Sequence, residues 1–325
     1  MTPKERAIAA LTLQIPDSIP TFELEFQLEE EMFGKRFIPP ELELSQIYNL
    51  GKKEKEKKIF EAAEYFTMVY KNLEYSIIPA YGPGDMNQLF GSGIMPDELK
   101  LFLKYLRELT ENKMLLGFHG DGTFAIPDGN EMYEFAYAIA DDPDGVKERA
   151  EIMAQAAIKR NKVLRENGID CLFLCSDYCY NSGPFISPDM FEEFIQPYLY
   201  KIIDEARKDG LYTIKHTDGN IMPILNQLVD CHPHAIHSID PMAGMDIKEV
   251  KKLVGDKVCL CGNVNCAMLQ TGTDEDIVAS AEYCLINASQ GGGYIFCTSN
   301  IPFKGMNPER YKLVLDTWRR LRDYK

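Results

Sequence analysis

The stretch Leu211-Tyr-Thr-Ile-Lys-His-Thr-Asp-Gly-Asn220 opens as an apolar, β-branched run and closes in polar residues and a glycine. A buried strand whose last residues emerge at a functional edge has this pattern. Side chains alternate along a strand, so Ile214, His216 and Asp218 share a face. An imidazole and a carboxylate two positions apart, at a strand's C-terminal end, are placed to hold a metal or to move a proton. Taken alone, His216 hydrogen-bonded to Asp218 in a turn is the simpler account. The rest of the chain changes that weighting.

The same pattern recurs. Thr21–Phe26 alternates with period two, with Glu23 and Glu25 on one face. Tyr75–Pro79 is a short strand, followed by a turn-rich loop over Ala80–Asp85. Met114–Gly122 is a strand that exits at His119. Asp170–Tyr178 exits at Asp177, with Cys171, Phe173 and Cys175 on the same face. His234–Asp240, Lys257–Asn263 and Gly293–Asn300 complete the set. Helices with legible caps lie between them. Thr2-Pro-Lys-Glu5 is a capping box with proline at the first helical position, and Thr273 to Asp276 is another box. Asp142-Pro143, Ser187-Pro188 and Asn307-Pro308 are further starts. Residues 27–75 read as mostly helical, and Pro197 interrupts the helix from Asp189 to Lys208.

Strand and helix in alternation, with eight strands in 325 residues, give an α/β chain whose expected fold is a (β/α)8 TIM barrel. Residues 1–20 form an N-terminal helical extension and lead-in, and 1–325 read as a single domain. An open doubly wound sheet is the alternative; no G-x-G-x-x-G follows the first strand, which disfavours a dinucleotide site.

The net charge of −15 argues against nucleic acid, whose binding depends on Lys and Arg neutralising phosphates. No apolar run is long enough to span a bilayer, and the N-terminus lacks the hydrophobic region of a signal peptide. The expected location is cytoplasmic. Nine cysteines in a chain without an export signal point to buried thiols or metal ligation, not to disulfides.

Active sites of these barrels sit at the C-terminal face, on strand ends and the loops after them. There the chain carries Glu25, His119, Asp177, His216 with Asp218, Asp240, Asn263 and Ser299 with Asn300. Helix caps and turns explain some of them, but their number points to a catalytic mouth. Asp177, His216 and Asn263 are the expected catalytic residues. Glu25, His119, Tyr178, Asn220, Ser299 and Asn300 are expected to contact substrate. His216 and Asp218 with Cys297, near the end of the last strand, form the expected metal set. Imidazole and thiolate together suit zinc.

The C-terminal half resembles the uroporphyrinogen decarboxylase superfamily. The resemblance rests on Asp177, Gly183–Met190, Gln196–Leu199, His216–Asn220, Ser238–Pro241, Ala243–Ile247, Gly262–Val264, Gly291–Ile295 and Ser299-Asn300, in the family's order over roughly residues 168–312. It implies a (β/α)8 barrel with one of two chemistries. These are decarboxylation of a porphyrinogen's acetate arms, or methyl transfer among small methylated compounds, corrinoid proteins and thiols, usually with zinc.

The decarboxylase branch clamps substrate carboxylates with an N-terminal arginine-rich segment. Here Thr21–Phe37 holds only Lys35 and Arg36 among Glu23, Glu25 and Glu29–Glu31, so that substrate is not expected. The methyltransferase branch places zinc on His-x-Cys after the fifth strand, with a further Cys near the end of the eighth. His216 matches the first ligand, Asp218 stands in place of the Cys, and Ser299 stands at the last position with Cys297 two residues earlier.

The resemblance thus implies a zinc-assisted methyltransferase. It would take a methyl group from a small methoxylated or N-methylated compound, as in O-demethylation. The acceptor would be the cobalt of a corrinoid (cobalamin-type) cofactor on a partner protein. A metal-independent decarboxylase of a small substrate and a non-catalytic binding protein are the alternatives, and the oligomeric state is left open.

Overall fold

The computed structural model describes residues 1–82 and 95–324. The part of the expected Ala80–Asp85 loop from residue 83 onward lies outside the described residues. Seven strands form one parallel sheet: β1 (Ile77–Pro79), β2 (Leu115–His119), β3 (Cys171–Leu174), β6 (Tyr212–Thr217), β7 (Ala235–Ser238), β8 (Cys259–Cys261) and β9 (Tyr294–Ile295), adjacent in that order. After β3 comes a small antiparallel hairpin, β4 (Cys179–Tyr180) with β5 (Gly183–Pro184), which the sequence pattern did not announce.

The space between β9 and β1 is filled by Pro20–Phe22. Phe296 N donates to Pro20 O (2.9 Å), and Phe22 N to Phe296 O (3.4 Å). On the other side Ser76 N donates to Thr21 O at 2.8 Å. Thr21 and Phe296 form a parallel bridge. This segment is the eighth stave, and the fold is a (β/α)8 barrel preceded by the helix Pro3–Leu11.

Less of the expected Thr21–Phe26 strand pairs than its alternation suggests. By Leu24 the carbonyl accepts the Tyr81 hydroxyl (2.6 Å) instead of a strand neighbour. Phe26 then packs against Tyr75 and Tyr311. Tertiary partners thus override the two-residue period.

Strands covered by helices on one side and filled by side chains on the other are buried on both faces; every residue of β3 and β8 is buried. Inside the barrel Phe22 lies 5.8 Å from Phe173 and 6.1 Å from His237, centroid to centroid. The expected caps form. Thr2 and Thr273 close capping boxes, and Asp142, Ser187 and Asn307 each accept from a first-turn N–H. The helix before β6 is two, Pro188–Phe194 and Gln196–Lys208, because Pro197 lacks an N–H and therefore begins a helix better than it continues one. Among the described residues no helix is long and apolar enough to cross a membrane.

Candidate functional site

β3 and β6 are hydrogen-bonded neighbours, so their exits meet. His216 projects from β6, Asp218 follows its end, and Asp177 lies just past β3. One ligand atom from each lies within 4.8 Å of the others. His216 Nε2 stands 3.8 Å from Asp177 Oδ1 and 3.8 Å from Asp218 Oδ1. Zinc–ligand bonds of about 2.0–2.2 Å put tetrahedral donors about 3.3 Å apart. The two distances from His216 Nε2 exceed that by roughly half an ångström, and all three ligand atoms lie within 4.8 Å of one another.

The electrostatics also suit a cation. Burial pushes the His216 pKa down, with Asp218 and Asp177 opposing. Burial pushes the Asp218 pKa up, with His216 and Ser238 opposing. A divalent ion would neutralise both carboxylates and use the nitrogen's lone pair, so the donor set fits zinc.

A second layer of residues holds these groups. Ser238 Oγ lies 2.7 Å from Asp218 Oδ1, and Asn300 Nδ2 donates to Asp218 Oδ2 at 2.6 Å. Asp218 N donates to Asp177 Oδ1 at 3.0 Å. His216 Nδ1 meets His237 Nδ1 at 2.8 Å, because the two residues stand opposite one another in the β6–β7 register. Gly219 (φ +82°) follows, where a Cβ would come 2.4 Å from the Cys179 carbonyl oxygen. The turn needs both the left-handed backbone and the missing side chain.

Strand alternation sends Lys215, between these inward positions, to the other face. It is fully buried. Its Nζ donates to Asp121 Oδ2 (2.9 Å), Ser176 O (2.8 Å) and Leu174 O (3.1 Å), and lies 4.1 Å from the centre of the Tyr178 ring. Asp121 also accepts from Ser176 N at 3.0 Å. The pair thus clamps both backbone groups of the residue before Asp177. Burial would raise the Asp121 pKa, but Lys215 and the hydrogen bonds from Ser176 and Thr123 outweigh it and bring it down to about 2.

His119 is mostly buried, its pKa pushed down to about 4 by burial and by His216. Its ring stacks on Tyr81 at 4.8 Å. Glu25 is half-buried and accepts from Gln27 Nε2 at 2.8 Å. Asn220 uses its Oδ1 to accept from Met222 N at 3.1 Å, as a turn residue does.

Four expectations need correcting. Tyr178 is fully buried, its hydroxyl 2.5 Å from Thr123 Oγ1 and its ring against the buried Lys215 Nζ, so it packs inside the fold and does not line the mouth. Asn263 donates to Ile239 O (2.7 Å) and accepts from Cys284 Sγ (3.2 Å), so its amide ties β8 to a covering helix. Ser299 is buried, and its Oγ accepts from Cys266 N at 3.5 Å. Cys297 is also fully buried, with its thiol pKa raised well above normal by burial. It is not among the residues whose possible ligand atoms converge, which are Asp177, His216 and Asp218. All nine cysteines are free.

Residue-by-residue reading missed His237, Ser238, Lys215 and Asp121. A signal for the first two was present: His216-Thr-Asp218 and His237-Ser-Ile-Asp240 are similar exits on successive strands. Lys215 was signalled by parity, since a lysine facing the helix layer requires an acidic partner.

The profile of the uroporphyrinogen decarboxylase (URO-D) family matches residues 123–321. The chain belongs to the uroporphyrinogen decarboxylase family. The matched span contains Asp177, His216, Asp218, His237 and Asn300. No curated protein matches the sequence. Among solved structures, a methyltransferase from Methanosarcina mazei is similar over 98% of this chain and 99% of that one, with TM-score 0.72 and 17% identity. A β-L-arabinopyranosidase from Geobacillus stearothermophilus aligns over 96% of this chain and 78% of that one, with TM-score 0.48 and 10% identity. A sugar phosphate isomerase/epimerase from Parabacteroides distasonis covers 84% and 92%, with TM-score 0.42 and 11% identity. These likenesses concern the fold.

Proposed function

We propose that this member of the uroporphyrinogen decarboxylase family is a corrinoid-dependent methyltransferase. It takes a methyl group from a small methoxylated or N-methylated compound and passes it to cobalt on a separate corrinoid protein. The observation that carries this reading is the convergence of His216 Nε2 with carboxylate oxygens of Asp177 and Asp218 at the barrel mouth. The full-length likeness to a methyltransferase of the same fold supports it.

His216, Asp177 and Asp218 would hold zinc. Zinc so held would draw electron density from the substrate's oxygen or nitrogen and make the demethylated fragment a better leaving group. The chain's own residues do the rest. Asn300 and Ser238 fix both oxygens of Asp218, and the Lys215–Asp121 pair fixes the backbone leading to Asp177. His119, neutral at pH 7 with its pKa near 4, and Tyr81 give an uncharged aromatic wall beside the site. Asp177, Asp218 and Asp240 all act electrostatically on His216. A polycarboxylate such as a porphyrinogen would meet repulsion there, whereas a neutral ether or an amine would not.

The test is methyl transfer to added cob(I)alamin from a panel of methoxylated and N-methylated compounds, with bound metal measured on protein purified without chelator. Wild type is expected to carry stoichiometric zinc and to methylate cobalamin. His216→Ala is expected to lose the metal and at least about a hundredfold in rate. CO2 release without cobalamin would replace this reading with decarboxylation. Binding without turnover would replace it with a carrier role.

A further inference from the structure

The charge of this chain is not spread evenly around the barrel. Residues 120–144, 175–195, 218–224 and 239–246, which leave β2, β3, β6 and β7, hold fourteen acidic residues and no lysine or arginine. Nearly the whole net charge of −15 therefore belongs to these four exits. The exits of β8 and β9, residues 262–273 and 296–307, hold no acid and one cation, Lys304. Lys215 neutralises Asp121, and Lys147 reaches Glu193 at 2.6 Å. Among the described residues no other acid of the four exits has a lysine or arginine within ion-pair distance.

The same exits present apolar side chains to solvent. Tyr133 and Tyr137 stand one turn apart on the helix Glu131–Asp141 and are 68% and 65% exposed. That helix buries Phe135 against Phe124 and Phe185 on its other face. The loop before it is tied to the site, since Ile126 N donates to Asp177 O at 2.9 Å. Tyr180 on the β4–β5 hairpin, Met222 after β6 and Met242 after β7 are exposed too. Their loops are joined: Asn220 N donates to Tyr180 O (3.0 Å) and Gly219 N to Asp240 Oδ2 (3.3 Å). The five side chains thus follow one connected arc of exits, the arc that also carries Asp177 and Asp218. Among the described residues, the exits of β8 and β9 carry none of the exposed large apolar side chains.

Exposed tyrosine and methionine inside a polar rim mark a contact surface, and the charge selects what covers it. Nucleic acid and an anionic lipid surface would be repelled. A second copy offering the same arc would set acid against acid, and the rest of the chain carries no net positive charge. The complement is a protein face that is basic around an apolar centre. We propose that the β2–β3–β6–β7 side of the mouth is the docking face for the methyl-acceptor protein, whose contacting surface has that character. This rests on the methyl-transfer reading given under Proposed function, in which the acceptor lies on another chain and has to reach the mouth.

The acceptor is purified from the source cells as the protein whose cobalt this chain methylates, and KM for it is measured. Free cob(I)alamin, which needs no docking face, is the control throughout. KM for the acceptor protein is expected to rise at least about tenfold between about 0.05 and about 0.3 M salt. Tyr133→Ser with Tyr137→Ser is expected to raise it about tenfold. Glu131→Gln with Glu134→Gln is expected to raise it about threefold or more and to flatten its salt dependence. Both pairs should keep the wild-type rate with free cob(I)alamin. Leu253→Ser with Ile286→Ser, exposed positions on helices outside the arc, should leave KM where it was. Unchanged KM in both arc pairs at equal folded fraction overturns the proposal, and so does an equal loss in the Leu253 and Ile286 pair. If the serine pair does not fold, the glutamine pair carries the test. Methylation of free cob(I)alamin with no acceptor protein in the extract overturns the docking face and leaves methyl transfer standing. Methylation of neither defeats the reading under Proposed function, and the docking face falls with it.

Discussion

Two pairs of strand exits on this barrel carry similar side chains and use them differently. After β3 and β6 stand Asp177, His216 and Asp218; after β8 and β9 stand Asn263, Cys297 and Ser299. In the second group hydrogen bonding is consumed by the fold. Asn263 engages both ends of its amide, Ser299 receives Cys266 N, and the Cys297 thiol is sealed in the interior. In the first group the acids are held by hydrogen bonds too, yet an oxygen of each still stands 3.8 Å from the same imidazole nitrogen, with no direct bond between them. Chemistry is marked by polar capacity left over after folding, not by residue type, since buried polar groups that fold a protein are normally satisfied. Each of the following variants strains that distinction.

The largest effect is expected behind the first group. Lys215→Met leaves the Asp121 carboxylate buried beside an apolar side chain and removes the donor to Ser176 O and Leu174 O. Breaking one partner of a buried pair costs about 3–5 kcal/mol, to be read by chemical denaturation. Adding Asp121→Asn is expected to recover part of that loss, because the uncompensated charge goes. Zinc affinity should fall in the folded fraction of the single variant, since Ser176 leads directly into Asp177. If stability falls while affinity does not move, Lys215 supports the barrel but not the site.

Most of the fold was legible because its signals are local. Period-two runs, caps at Thr2, Asp142, Ser187, Thr273 and Asn307, and polar strand ends all lie within a few residues of one another. His216 and Asp218 were legible for the same reason. The division between the two groups of exits was not. Whether Asn263 faces the mouth or a helix depends on Cys284, which lies 21 residues on. Whether Asp177 or Cys297 completes the triad depends on which strands are neighbours. The family resemblance pointed to the end of the last strand, with Ser299 at the ligand position and Cys297 two residues earlier, whereas the carboxylate that converges on His216 and Asp218 comes from the exit of β3.

The β9 side should respond to pH rather than to metal. Glu23 is buried and accepts from Thr298 N, Thr298 Oγ1 and the Tyr311 hydroxyl, so it pins the β9 exit from the helix side. Burial raises its pKa from 4.5 to about 8 against these hydrogen bonds. The folded protein therefore holds a proton that the unfolded chain releases between those values, and stability falls as pH rises through that window. The slope is at most about 1.4 kcal/mol per pH unit for one proton. Glu23→Gln removes the term, so the difference in stability between variant and wild type should shift in the variant's favour from pH 4.5 to 8. Below 4.5 the difference should be flat. Zinc affinity per folded molecule should be equal in the two proteins. A parallel pair of stability curves would show that Glu23 titrates alike in both states.

The smallest expected effect gives the sharpest comparison, because it separates two adjacent residues. Ser299 and Asn300 leave the barrel together, yet they belong to different groups. Ser299 Oγ takes a long 3.5 Å hydrogen bond from Cys266 N. Asn300 Nδ2 makes a short 2.6 Å bond to Asp218 Oδ2, the carboxylate oxygen that Ser238 does not hold. Asn300→Ala frees that carboxylate to rotate and removes the donor that orients it, so zinc affinity should fall about tenfold. Stability should change by no more than about 1 kcal/mol, because water can replace the lost bond at this partly exposed position. Ser299→Ala should cost about as little stability and leave zinc affinity where it was. The two are read side by side in one chelator titration. If both variants weaken zinc equally, the boundary between the two groups of exits does not run between these residues. If neither does, Asp218 is held by Ser238 alone, and the organised part of the site ends at β7.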